Sequence, residues 1–134
     1  MSGDSFRIEY DSLGAVKVPK DALYGAQTVR AIDNFHITGS AVHPLMFVAL
    51  AQVKKACAYA NYEVGEMSED ISQAIIQVCD EIIAGSYQEY FVTDAIQGGA
   101  GTSLNMNINE IIANRANQIL GGTLGTYERV HPND

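Results

Sequence analysis

Residues 97–109 of this 134-residue chain read Gln97-Gly98-Gly99-Ala100-Gly101-Thr102-Ser103-Leu104-Asn105-Met106-Asn107-Ile108-Asn109. Three glycines and two hydroxyl side chains stand directly before a helical pattern that opens with Asn105, Asn107 and Asn109 at every second position. Glycine lets a backbone come close to a ligand because no Cβ intervenes. The unpaired N–H groups at a helix start carry partial positive charge and suit an anion. Asparagine is a mediocre helix former, so this density of it costs stability unless the amides find partners. Gly99, Ala100, Gly101, Thr102 and Ser103 therefore read as a cradle for a small carboxylate. The competing reading is a plain helix cap by Thr102 or Ser103. A nucleotide loop fits poorly, since no Gly-Lys-Ser/Thr follows and no βαβ unit surrounds the segment.

The elements that must position this loop are mostly helical. Arg7–Tyr10 and Ala15–Val18 are two short strand-compatible runs joined by Asp11-Ser12-Leu13-Gly14, which has turn chemistry and predicts a small hairpin near residues 7–18. Asp21 can cap a short helix reaching about Ala31, and Asn34–Gly39 reads as a loop. Pro44 suits the first position of a long helix that Gly65 stops. Met46, Leu50, Val53, Cys57, Ala60 and Val64 form a sustained apolar seam along it, made for packing against another helix. Ser68 caps the next helix, which buries Ile71, Ile75, Val78 and Ile82 and ends at Gly85. A last helix runs from about Thr102 to Leu120, with a broad stripe of Leu104, Ile108, Ile111, Ile112, Ala116 and Ile119. Asn105 and Asn109 edge one side of that stripe and Asn107 and Asn114 the other, which predicts a buried amide network steadying the loop.

Composition narrows the class. One domain is expected at this length, and 47% hydrophobic against 18% charged residues is ordinary for a globular fold. The net charge of −8 provides no basic stripe for nucleic acid. The same excess opposes a dianionic ligand, so any such binding must come from local donors. No apolar run is long enough to span a membrane, and the N-terminus lacks the layout of a secretory signal. Cys57 and Cys79 read as buried, unreactive thiols in a reducing compartment, without the ligand number or spacing of a metal site. A cytoplasmic protein is the expectation.

The loop resembles the first signature of the fumarase/aspartase superfamily, in its aspartate ammonia-lyase form; the fumarase form has serine and glutamine at the positions of Ala100 and Ser103. The likeness extends to Arg7-Ile8-Glu9, Leu13-Gly14, Val18-Pro19, Tyr24-Gly25, Gln27-Thr28, Arg30-Ala31 and Asn34-Phe35, and to the closing His131-Pro132-Asn133-Asp134. The resemblance implies a mainly α fold with the small hairpin. It implies a single N-terminal lyase domain over 1–134, with 1–5 disordered, 6–19 a hairpin arm and 20–134 helical, belonging to a larger three-domain enzyme. The implied activity is reversible loss of ammonia from L-aspartate to give fumarate, with no metal and no organic cofactor, in a homotetramer whose sites draw on three subunits. Class II fumarate hydratase is the alternative activity. A non-catalytic helical domain is the alternative for the chain by itself, because the second and third family signatures are not in it.

By the same resemblance, residues 99–103 contact a substrate carboxylate, with Asn105, Asn107 and Asn109 supporting them. The catalytic serine lies on a C-terminal loop outside this sequence, so no catalytic base is expected here. His131, Asn133 and Asp134 match a segment that forms a secondary carboxylate site in fumarases; a solvated tail is the other reading. Arg30 could grip a carboxylate in bidentate fashion, but a surface ion pair with Asp33 or Asp21 is preferred. Arg115 is expected to pair with an acidic neighbour or to extend its head to solvent.

Overall fold

The computed structural model describes residues 5–34, 44–90 and 102–132. Strands β1 (Phe6–Asp11) and β2 (Gly14–Pro19) form the expected antiparallel hairpin, with Glu9 opposite Val16 and Arg7 opposite Val18. The Asp11 carboxylate accepts the Leu13 N–H at 2.9 Å and closes the turn. On β1 the usual arrangement of faces is reversed. β1 turns Arg7, Glu9 and Asp11 towards the body of the protein, while Phe6, Ile8 and Tyr10 face outwards and are exposed. From β2, Val16 and Val18 pack with Ala22 and Ala26 in a small core beneath the sheet.

Helix α1 spans Ala26–Asn34, several residues later than a cap at Asp21 would place it. The reason is tertiary. The N–H groups that need caps at its start, from Gly25 to Thr28, are met by the carboxylates of Glu9 and Glu110. Residues 20–25 instead form an irregular, largely buried turn in which the Leu23 and Tyr24 carbonyls accept bonds from Asn114 and Arg7.

Three longer helices make the main core: α2 (Pro44–Glu63), α3 (Glu69–Ile83) and α4 (Thr102–Ile119). Phe47, Ala51 and Ala58 of α2 meet Ala74, Ile75, Val78, Cys79 and Ile82 of α3 and Ile108, Ile111, Ile112 and Ala116 of α4. The inner faces of α3 and α4 are those the apolar spacing predicted. The α2 seam is not: Met46, Val53 and Val64 are 50%, 59% and 71% exposed, and Cys57 is exposed rather than buried. α2 uses the neighbouring small-residue face, because Ala51 and Ala58 let α3 approach closely. Cys79 is buried as expected, and burial pushes its thiol up to about 12. Ser68 holds the cap position of α3, but its hydroxyl donates to the Asp70 carboxylate at 2.7 Å instead of accepting a backbone N–H.

Candidate functional site

The candidate loop and its surroundings divide into three parts. Gly99, Ala100 and Gly101 lie outside the described residues. Thr102 and Ser103 are the first two residues of α4, where the N-terminal N–H groups of an 18-residue helix point back towards the loop. Two of the three asparagines are engaged by other elements, and the third by α4 itself. Asn105 accepts the Lys54 ammonium of α2 at 2.8 Å, and burial lowers the pKa of that lysine. Asn107 is fully buried and donates to the Tyr90 carbonyl at 2.9 Å, tying α4 to the segment that follows α3. Asn109 is half-buried, and its amide approaches the Met106 sulfur at 3.9 Å.

Further along α4, two more amides fasten the C-terminal segment. Asn114 donates to the Leu23 carbonyl at 2.6 Å and accepts the Gly125 N–H at 2.8 Å. Asn117 donates to the Val130 carbonyl at 2.7 Å and accepts the Arg129 and Val130 N–H groups at 2.9 and 3.2 Å. Through them the tail is packed as far as Pro132, which is buried, and the His131 ring stands edge-on to Tyr127 with centroids 5.6 Å apart. Asn133 and Asp134, the other two residues of the expected secondary carboxylate site, lie outside the described residues. A cavity of about 190 Å³ opens beside His131, and its polar lining comes from Lys54, Asn61 and Asn109.

Arg30 is committed elsewhere. Its guanidinium makes a bidentate pair with Asp11 of β1 at 2.7 and 2.9 Å, in place of Asp33 or Asp21. The pair holds the Asp11 carboxyl below its ordinary range and raises the arginine. The helix carries Arg30 under the hairpin turn, which sequence separation alone does not reveal. Arg115 bonds to the Tyr87 hydroxyl at 3.0 Å beside Glu81.

Sequence reasoning missed a second polar centre. Glu110, 1% exposed, sits in the apolar stripe of α4 and accepts the N–H groups of Gly25, Gln27 and Thr28 at 2.8–2.9 Å. Glu9, 4% exposed, accepts the Ala26 N–H at 3.1 Å and the Tyr127 hydroxyl at 3.2 Å, and Arg7 pairs with it at 2.9 Å. Burial pushes Glu110 above its ordinary range, against the three N–H donors that favour its ionised form, and it also raises Tyr127. Gly25 is the residue that permits this convergence: a Cβ there would clash with the Tyr127 hydroxyl and stand 2.8 and 2.9 Å from Glu9 and Glu110. The available signal was a glutamate between Ile108 and Ile111, an acidic side chain at a position the stripe buries. The cluster binds hairpin, α1, α4 and tail into one unit.

The lyase family model matches residues 14–134. An aspartate ammonia-lyase of a Bacillus species is 50% identical over 127 residues, which is 95% of this chain and 27% of that protein. A class II fumarate hydratase of Nitrosomonas europaea is 47% identical over 131 residues, 98% of this chain and 28% of its own length. In three dimensions, the chain superposes on a fumarate lyase:delta crystallin structure from Brucella melitensis with a TM-score of 0.93 and 50% identity, covering 96% of this chain and 30% of the other. The chain thus spans little more than a quarter of the relatives it matches. On this match it belongs to the lyase family that includes aspartate ammonia-lyases and class II fumarate hydratases.

Proposed function

We propose that this chain is the N-terminal domain of an aspartate ammonia-lyase, whose whole polypeptide interconverts L-aspartate with fumarate and ammonia. The observation that carries the reading is the Gly99-Ala100-Gly101-Thr102-Ser103 wording at the start of α4, supported by the 50% identity to an aspartate ammonia-lyase. Elimination of ammonia requires a proton to leave the carbon beside a carboxylate, and the charge so generated gathers on that carboxylate. Fixed donors aimed at it supply much of the rate enhancement. Thr102, Ser103 and the adjacent N–H groups are the donors in this reading, the glycines give access, and Asn105 and Asn107 lock the first turns of α4 to Lys54 and Tyr90. The reaction needs neither metal nor organic cofactor. His131 with Asn133 and Asp134 forms a secondary carboxylate site.

The base belongs to sequence outside this chain, so the 134 residues alone turn over no substrate. The complete enzyme is a cytoplasmic homotetramer. The 47% identity to a class II fumarate hydratase supports hydration of fumarate as the second reading. Supplying the complete enzyme with L-aspartate and following the ultraviolet absorbance of fumarate separates them. Fumarate from aspartate is the expected result, and fumarate from malate alone would transfer the assignment to the hydratase. The 134-residue chain should be silent in both assays.

A further inference from the structure

Nearly every cation of this acidic chain has a carboxylate or open water beside it. Arg7, Arg30, Lys55, Arg115 and Arg129 pair with carboxylates, and Lys17 and Lys20 are exposed. Lys54 is the exception. It is half-buried, and no carboxylate pairs with it among the described residues; the titratable groups that face it are the Cys57 and Cys79 thiols. Its ammonium donates to the Asn105 amide oxygen at 2.8 Å. An ammonium has three N–H donors, so two remain for other partners. Withdrawing a charge from water without a counter-charge is costly, and burial lowers the pKa of this lysine.

Lys54 borders the cavity of about 190 Å³ enclosed by α2, α4 and the tail. Asn61 lies two turns further along the same face of α2, and Asn109 one turn beyond Asn105 on α4. The Asn61 side chain has no hydrogen bond among the described residues. The Asn109 amide has only the Met106 sulfur, a weak acceptor. Ala58, Ile75, Ile112 and Val130 give much of the remaining wall an apolar surface.

We propose that this cavity binds a small monocarboxylate, its charge held by Lys54 and its oxygens by the amides of Asn61 and Asn109. Size and charge select that ligand. Pockets for drug-sized molecules start at about 300 Å³, above the volume available here. One ammonium balances one negative charge, and a phosphate or dicarboxylate would bring a second into a chain whose net charge is already −8. Amides beside the ammonium suit a pair of oxygens, which a halide does not offer. The apolar wall makes the charge pair stronger than it would be in water. These binding groups lie on α2 and α4, apart from the His131, Asn133 and Asp134 set proposed above, although His131 also borders the cavity.

Acetate is the probe. For the 134-residue chain its Kd should be on the order of 1–10 mM. At about ten times Kd the melting temperature should stand about 5 °C above that in sodium chloride of equal ionic strength. A bound anion favours the ammonium form, so the Lys54 side-chain titration, followed by NMR, should move to higher pH in acetate. Lys54→Met keeps the length and removes the charge, and the saturable rise should vanish. Asn61→Ala should weaken acetate binding about three- to tenfold. An unmoved Lys54 titration, or equal stabilisation of Lys54→Met, would overturn the proposal. Should that variant fail to fold, the titration of the unaltered chain decides. Equal saturation by chloride would overturn the choice of a carboxylate. In the complete enzyme acetate should move the same signal. A Lys54 titration there that is already raised and indifferent to acetate would assign the counter-charge to a side chain of the remaining polypeptide, and overturn the free ligand. No arm uses aspartate or fumarate, so failure here leaves the proposed activity untouched.

Discussion

Two side chains on α4 separate the roles of this helix. If Thr102 contributes a hydroxyl to the substrate carboxylate, Thr102→Val in the complete enzyme removes one donor and keeps the shape. Turnover should then fall on the order of a hundredfold. A helix cap lost at the same position would instead cost about 1 kcal/mol of stability and leave activity per folded molecule near normal. Kinetics and melting measured on one variant decide between them, and loss of turnover is the expected outcome. Glu110 is of the other kind. Glu110→Ala leaves the buried Gly25 and Thr28 N–H groups and the part-buried Gln27 N–H without an acceptor, and a loss of roughly 3 kcal/mol or more in urea unfolding is expected. Glu110→Gln retains an acceptor oxygen, so it should recover part of that loss.

At the scale of elements, α2 shows how a correct helix assignment can accompany a wrong choice of face. Its termini fall where Pro44 and Gly65 place them, yet of the larger seam side chains only Leu50 packs against the core, while Met46, Val53 and Val64 are exposed. Substitutions should reveal the distinction. Phe47, 2% exposed, fills the core among α2, α3 and α4, and Phe47→Ala should cost about 3–5 kcal/mol. Val53→Ala, on the open face, should change stability by less than about 0.5 kcal/mol. The hairpin follows the same logic. Its charged face turns inward because Arg7 has the Pro19, Lys20 and Tyr24 carbonyls to satisfy as well as Glu9, and Arg30 has Asp11. A strand read by alternation alone would be assigned the opposite orientation.

For the molecule as a whole, pH dependence follows from which carboxyls the fold raises and which it lowers. Glu110 is raised above its ordinary value of 4.5, so the folded state holds its proton to higher pH than the unfolded chain does. Its contribution is complete below 4.5 and is lost as pH rises through the folded value, so acidifying from neutrality recovers stability. Protonation also relieves part of the net charge of −8. Asp11 and Asp70 are lowered from 3.8, chiefly by Arg30 for the first and by Ser68 and then Arg129 for the second. Their contribution is present above 3.8 and disappears as pH falls through their folded values. The melting temperature should therefore rise as pH is lowered from neutrality towards 4.5 and drop again as it falls below 3.8. Glu110→Gln should flatten the first limb and spare the second. A melting temperature that falls steadily from pH 7 downwards in the unaltered chain would contradict this assignment.

The sequence by itself determined the local features of this protein. Asp11-Ser12-Leu13-Gly14 specifies a tight turn, Pro44 and Gly65 bound α2, and the period of Ile71, Ile75, Val78 and Ile82 fixes the inner face of α3, because each depends on residues within a few positions of one another. The wording of 97–103 was legible for the same reason, as a contiguous run. Tertiary structure decided the rest. The start of α1 was set by Glu110, more than 80 residues away in sequence. The partner of Arg30 was chosen by the docking of α1 beneath the hairpin, and the buried face of α2 by how closely Ala51 and Ala58 let α3 approach. In each case the deciding partner, whether Glu110, Asp11 or α3, lies outside the element it acts on. A helix end or a charged side chain takes whichever partner the packed elements bring to it, and local sequence carries no record of that partner.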